Sequence, residues 1–440
     1  MKSTILRKLS PVVLVLVAGL GFVFHGEASI LLQSGQMVEG TLPSDTAETW
    51  FVNAHAGDSI VAQVSETDLN HNFNIRVKIY SPGGALLVAG EVGYASQAST
   101  RASIDGTYQV TVNDLNHNPD FRDTYRLCVA VVPESANQFS RLLSNGVNHH
   151  GSLIRGAMDI WKFDVTVGDS IVASVAKESG ETSFFARLQL YDEAGNKVSG
   201  VATRQANQVE YRATKSGAYT IIVSDGNSDP YHTGNYALRL VRVPDIAIQI
   251  PSGDDGGVLG NSALYPGLIQ RGRIEPGDLD SWTFYATKGD NLHITINEVI
   301  LDSAFAPWIR LYEPSGARLD SDYGNSLPAS LSSQAPSTGL YTVVVANHSL
   351  GGPPLYNVYQ LTLTGNTFSV PGSPQVRLSR EGNTLVLSWS ADFTGWSVQR
   401  SDSLGVPNWS TVVGQPSISN NQWVLPVSGS GQSGFYRLVR

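Results

Sequence analysis

Apolar residues fall at every second position in short runs along most of this chain, with polar residues between them. Trp50, Val52 and Ala54 make one such run, followed by Ile60, Ala62 and Val64 and by Ile75, Val77 and Ile79. After Gly106 come Tyr108, Val110 and Val112, and Tyr125, Leu127, Val129 and Val131 close the series. A period of two marks β-strands buried on one side. The intervening Gln63, Arg76, Lys78, Gln109, Thr111 and Arg126 place the other side of each strand in water. No amphipathic helix of useful length interrupts the runs.

The pattern then returns twice. From Trp50, Trp161 and Trp282, seven residues lead to Gly57, Gly168 and Gly289, and thirty lead to Tyr80, Tyr191 and Tyr312. A further 28, 28 and 29 residues reach Tyr108, Tyr219 and Tyr341, each two positions after a glycine (Gly106, Gly217, Gly339). Constant spacing of this kind means three copies of one structural unit. The second copy repeats the strands as Trp161, Phe163 and Val165, Leu188 and Leu190, Tyr219, Ile221 and Val223, and Tyr236, Leu238 and Leu240; the third does so from Trp282 to Leu363. Strands dry on one side must bury that side against a second sheet, so each copy is expected to be an antiparallel β-sandwich. The copies span residues 30–133, 137–244 and 259–365, with a turn-rich linker at 245–258, and the segments between them are read as solvated connectors. A different unit covers 374–440, where Leu385, Leu387 and Trp389 and then Val398 and Arg400 alternate, and this reads as a smaller β-sandwich. It holds four of the eight tryptophans, Trp389, Trp396, Trp409 and Trp423. Such rings either present faces to sugars or fill a core too small to be stable otherwise.

Composition adds a compartment. Lys2, Arg7 and Lys8 precede the apolar run from Pro11 to Phe24, which ends in Gly26-Glu-Ala28. That order reads as a secretory signal peptide over residues 1–28, the alternative being an uncleaved membrane anchor. No later stretch approaches the roughly 18 apolar residues of a spanning helix. The formal charge is −9, and the leader contributes +2 of it, leaving −11 for the remainder. An acidic product argues against nucleic acid as a partner. Cys128 is the only cysteine, so no intramolecular disulfide forms; it is either an intermolecular bridge or an unpaired thiol on a strand.

Several motifs in each copy carry a family resemblance: a Gly-[Thr/Ser/Arg]-[Leu/Ile] strand, the aromatic pair at Trp50-Phe51 or Trp161-Lys-Phe163, a Gly-Asp turn, a Leu-Tyr-x-x-x-Gly turn such as Leu190-Tyr-Asp-Glu-Ala-Gly195, and the Gly-x-Tyr strand. On these the units Gly40 to Pro133, Gly151 to Pro244 and Gly272 to Gly365 resemble the bacterial pre-peptidase C-terminal domain, which is similar to the collagen-binding domains of clostridial collagenases. The resemblance implies three tandem jelly-roll-like antiparallel β-sandwiches with a non-catalytic accessory or binding role. No peptidase precedes the repeats here. The terminal unit resembles the small Trp-rich module ending in Phe-Tyr-Arg found in secreted verrucomicrobial and planctomycete-type proteins; here the motif is Phe435-Tyr436-Arg437-Leu438.

Two patterns hold candidate chemistry. Gly57-Asp58-Ser59-Ile60 and Gly168-Asp169-Ser170-Ile171 imitate the nucleophile block of a lipase-like hydrolase, yet the third copy reads Gly289-Asp290-Asn291. A frame that keeps Gly-Asp and drops the hydroxyl behaves as a turn, since a nucleophile needs a base and an oxyanion site around it. In Asp114-Leu-Asn116-His-Asn118-Pro-Asp120, and in register Asp225-Gly-Asn227-Ser-Asp229, oxygen ligands alternate in a manner that suits calcium. Asp and Asn also populate β-turns for local reasons, and Pro119 stands where an EF-hand loop needs glycine. The histidines form no metal-binding spacing. The expectation is a secreted or cell-surface binding or adhesion protein with no catalytic site, calcium as its one candidate cofactor, and an extracellular protein or polysaccharide as ligand. The alternative is a structural spacer or assembly protein that presents or anchors the C-terminal module at the cell surface.

Overall fold

A computed structural model describes residues 30–43, 46–68, 73–116, 122–133, 137–199, 206–244, 264, 266–267, 269–275, 277–299, 305–324, 328–347, 357–365, 376–381, 384–390, 396–403, 408–414, 416–419, 422–427 and 434–439. The leader at 1–28, the linker at 245–258, and Asn118 and Asp120 lie outside the described residues.

The protein is all-β, built of sandwiches. In the first, a leading sheet runs in spatial order Leu31–Leu32, Ala47–Ala54, Gly106–Asp114, Ile75–Tyr80, Leu86–Ala89, and a trailing sheet runs Met37–Pro43, Arg122–Val132, Ser59–Glu66, Ala95–Arg101. The second repeats this with a leading sheet Ser140–Leu142, Asp159–Val165, Gly217–Asp225, Ala186–Tyr191, Lys197–Ser199 and a trailing sheet Asn148–Leu153, Gly234–Val243, Ser170–Gly180, Ala206–Arg212. The third has Asp280–Ala286, Gly339–Asn347, Pro307–Tyr312, Arg318–Tyr323 leading and Ile269–Ile274, Asn357–Gly365, Asn291–Glu298, Ala329–Gln334 trailing. Among the described strands pairing is antiparallel apart from the short strands Leu31–Leu32 and Ser140–Leu142, which run parallel to their neighbours. A smaller pair of sheets, four-stranded and three-stranded, holds the C-terminal unit.

Each large sandwich closes on its own core, and the recurring landmarks have a shared reason. Trp50 Nε1 donates to Tyr125 OH at 2.8 Å, and that hydroxyl donates to Glu48 Oε2 at 2.5 Å. Trp161, Tyr236 and Asp159 repeat the relay at 2.9 and 2.5 Å, and Trp282, Tyr359 and Asp280 at 2.7 and 2.5 Å. The indole and phenol bury their bulk while their polar ends satisfy one another, as buried Trp and Tyr require. A glycine lies under each tyrosine ring: a Cβ at Gly40, Gly151 or Gly272 would come within 2.4, 2.2 or 2.2 Å of it. That contact is why the Gly-[Thr/Ser/Arg]-[Leu/Ile] strand begins with glycine.

The wet side expected of every strand is missing from some of them. Gln63, read as a solvent position, is 1 % exposed, and Thr111 is 8 % exposed. The reason for Gln63 is that the sandwiches stack face to face. Val61, Cys128, Ala130 and Val132 from the outer side of the first trailing sheet pack against Met158, Ile160, Tyr191 and Ile222 from the outer side of the second leading sheet. Val172, Val241 and Val243 of the second trailing sheet meet Leu279, Tyr312, Val344 and Ala346 of the third leading sheet in the same way. Each buried Val, Leu, Ile or Met side chain at these joints contributes about 1.5–3 kcal/mol. Val132 and Val243, the last strand residues before Pro133 and Pro244, are themselves buried.

Candidate functional site

The joints are where the sequence motifs meet. Ser59 Oγ donates to Gly195 O at 2.6 Å, and Ser170 Oγ donates to Gly316 O at 2.6 Å. Arg101 reaches Ala194 O at 3.2 Å and also bonds Asn196, while Arg212 reaches Ser315 O at 3.4 Å. The Gly-Asp-Ser turn of one sandwich thus docks on the Leu-Tyr-x-x-x-Gly turn of the next. Gly195 and Gly316 take φ of +76° and +81°, and a Cβ there would lie 2.2 and 2.6 Å from Val132 O and Val243 O. Glycine is required on both counts. The Asp of the turn acts locally: Asp58, Asp169 and Asp290 accept the backbone N–H of His55, Thr166 and Thr287 at 2.7, 3.0 and 2.8 Å. The two serines that resembled nucleophiles are hydrogen-bond donors inside joints.

Polar side chains complete each joint. Across the first, Gln63 Nε2 donates to Ala157 O at 3.0 Å and Arg187 bonds Gln97. Across the second, Tyr312 OH donates to Glu210 Oε1 at 3.0 Å, Arg318 Nη1 donates to Glu210 Oε2 at 2.6 Å, and Arg310 Nη2 donates to Gln208 Oε1 at 3.0 Å. Arg239 and Asp278 form a fully buried ion pair at the same joint. Cys128 occupies the corresponding place in the first. Its thiol is buried between Gly35 O and Met158 O, and burial pushes it up to about 12. Such a thiol forms no bridge to another molecule while the joint is closed.

The Asp/Asn stretches are placed differently from one another. Asp114 is buried, and its Oδ1 accepts the backbone N–H of Asn116 at 2.9 Å and of Asn74 at 3.3 Å. Asp225 is likewise buried and takes N–H donors from Asn227 and from His232, the His232 contacts both at 3.0 Å. Asp229 leaves its own sandwich and accepts Ala95 N–H at 2.6 Å and Tyr94 N–H at 3.3 Å in the first. Asp225 and Asp229 therefore face different partners. Among the described residues no three His, Cys, Asp or Glu side chains are disposed to hold a metal ion. Beside Asp229, Glu66 is fully buried, and burial above all, with Asp68, Asp123 and Asp229 adding to it, pushes its carboxyl up to about 7. Arg155 pulls in the other direction.

The joints could have been found from the outward-facing positions. In the first two copies these are Val61, Ala130, Val132 and Val172, Val241, Val243, too apolar for a solvated side; in the third they are His293 and Thr364. In the C-terminal unit, Trp389 and Trp423 stack at 6.4 Å within the core and so fill it. Arg437 of the Phe-Tyr-Arg motif covers the Trp409 ring at 4.3 Å and donates to Gln399 Oε1 at 2.8 Å.

No family model and no curated sequence matches this chain. Among solved structures it is similar to the pre-peptidase C-terminal domain of a Bacillus anthracis collagenase, at 20 % identity and a TM-score of 0.20 over 24 % of this chain and 99 % of that one. The Aeromonas hydrophila periplasmic inhibitor of g-type lysozyme gives 12 % identity and a TM-score of 0.20 over 23 % of this chain and 95 % of that one. The M60 catalytic domain with two CBM51 domains from Clostridium perfringens ZmpB gives 12 % identity and a TM-score of 0.17 over 73 % of this chain and 34 % of that one.

Proposed function

We propose that this is a secreted, non-catalytic binding protein in which three stacked sandwiches form a support for ligand-binding surfaces at its ends and for the C-terminal module. The observation that carries this reading is the use of Ser59 and Ser170 as donors to Gly195 O and Gly316 O, which engages both candidate nucleophiles in holding the stack. Turns tied down by their own backbone, as at Asp114 and Asp225, are framework rather than reacting groups. The ligand class is an extracellular protein or polysaccharide.

The test has two arms. Purified protein is assayed against a panel of esters and peptides and is used to capture glycans, collagen and peptidoglycan. Retention of one of these with no turnover is the expected result. Hydrolysis abolished by Ser59→Ala or Ser170→Ala would overturn the reading. A second reading, a spacer that holds the terminal module away from a surface, is favoured by the buried clusters at both joints. Deleting residues 374–440 separates the two: under the spacer reading surface attachment is lost while the stack stays folded, and under the first reading ligand capture persists.

A further inference from the structure

The leading sheet of the second sandwich is covered by the first, and that of the third by the second; among the described residues no such buried cluster covers the same side of the same sheet in the first sandwich. The registers align the three. Tyr80 pairs with Gln109, as Tyr191 pairs with Thr220 and Tyr312 with Thr342. Lys78 pairs with Thr111, as Arg310 pairs with Val344. Arg76 pairs with Asn113, as Arg187 pairs with Ser224. Tyr191 and Tyr312 are 2 % and 0 % exposed and Arg310 is 0 % exposed, whereas Tyr80 and Lys78 keep part of their surface open.

What the covered copies do with these positions defines what the open one lacks. Arg310 and Tyr312 hold the Gln208 amide and the Glu210 carboxylate of the preceding sandwich's edge strand, Ala206–Arg212. Arg187 takes Gln97 of the preceding sandwich's edge strand, Ala95–Arg101, as its acceptor. In the first sandwich, neither the Lys78 nor the Tyr80 side chain has a hydrogen-bond or ion-pair partner among the described residues. Arg76 Nε is buried without an acceptor. The outward positions of this sheet hold no carboxylate, in a chain whose net charge is −9. Along the Tyr80 row stand Phe51 and the exposed Leu31 and Leu86. Cations and a phenol beside apolar and aromatic surface make a face that selects acceptors and anions and excludes cations.

We propose that this face docks the edge strand of a partner protein's β-sheet, and that Lys78 and Tyr80 grip a carboxylate on that strand as Arg310 and Tyr312 grip Glu210. The proposal rests on the binding-protein reading and names its surface. A second copy of this chain fits less well, because the free trailing edge of the third sandwich, Ala329–Gln334, carries no carboxylate.

The test uses the full chain and three probes: a fluorescent peptide alternating valine and glutamate, its glutamine counterpart, and polygalacturonate. The glutamate peptide is expected to bind about tenfold more tightly than the glutamine one and to weaken with salt. Lys78→Gln with Tyr80→Phe is expected to remove about that tenfold, Lys78→Arg to retain it, and a melting curve to stay unchanged throughout. Equal binding of the two peptides, or no effect of the double variant, would overturn the proposal. Binding of polygalacturonate without the peptide overturns it in favour of an acidic polysaccharide, and self-association abolished by the double variant overturns it in favour of a second copy. Capture of an extracellular ligand that survives the double variant also overturns this surface and leaves the binding reading standing.

Discussion

The trailing sheets of the second and third sandwiches share a register and an inner side, but their outer sides are opposites. In the second, Val172 pairs with Val241 and both are fully buried; in the third, His293 pairs with Thr364 and both are exposed. The inward residues, Ile171, Ala173 and Val175 against Leu292, Ile294 and Ile296, are buried alike. The core of a repeat therefore sets its inner side, and the presence of a following repeat sets its outer side. A stacked array needs apolar joints within and polar surfaces at its ends, and the third copy supplies one such end.

The most damaging way to break this comparison is one carboxylate placed on each side of it. Val241→Asp buries an unpaired charge in the second joint and is expected to cost about 3–5 kcal/mol. Thr364→Asp, its register equivalent, changes an exposed position and is expected to stay within about 0.5 kcal/mol. Guanidinium unfolding midpoints of the two variants against the parent check this.

The turns give a smaller contrast of the same kind. Gly195 and Gly84 have φ of +76° and +84°, but only Gly195 faces a neighbour, with Val132 O at 2.2 Å from a built Cβ and nothing within 4 Å at Gly84. Gly195→Ala is expected to lose about 2–3 kcal/mol from strain and collision together, and Gly84→Ala about 1 kcal/mol from backbone strain alone. Thermal unfolding of the pair measures the joint's share.

Much of this was readable beforehand, for a physical reason. Alternation, the tryptophan-to-glycine spacing and the Gly-Asp turn are local signals, and the strands, the inner cores and the turn role of Asp58, Asp169 and Asp290 follow from them. The joints are legible only in the outward positions, where Val61, Ala130, Val172 and Val241 interrupt the polar phase that a solvated side requires, while the last copy keeps His293 and Thr364 there. The Asp225–Asp229 stretch shows the same limit: its spacing suits calcium, and nothing in its letters tells that Asp229 reaches across to Tyr94 and Ala95.

Two weaker effects sharpen the account at the first joint. Glu66 is held with its carboxyl at about 7, above its unfolded value, so the native state keeps a proton the unfolded chain has released. Its contribution to stability is complete below about pH 4.5, declines as pH rises, and is gone above about pH 7. Glu66→Gln is expected to flatten that decline in the unfolding midpoint between these limits. The smallest effect is expected from calcium. With Asp225 and Asp229 already engaged by N–H donors, EDTA and added calcium are each expected to move the melting temperature by less than about 1 °C.

The stacking itself is tested most directly by the reactivity of Cys128, whose thiol lies on the outer side of the first trailing sheet and is covered by the second sandwich. The account predicts that a thiol reagent leaves the native protein unlabelled and modifies it stoichiometrically in guanidinium. Rapid labelling in native buffer, with the far-ultraviolet spectrum of the sheets unchanged, would mean that the joint is open and would contradict the stack.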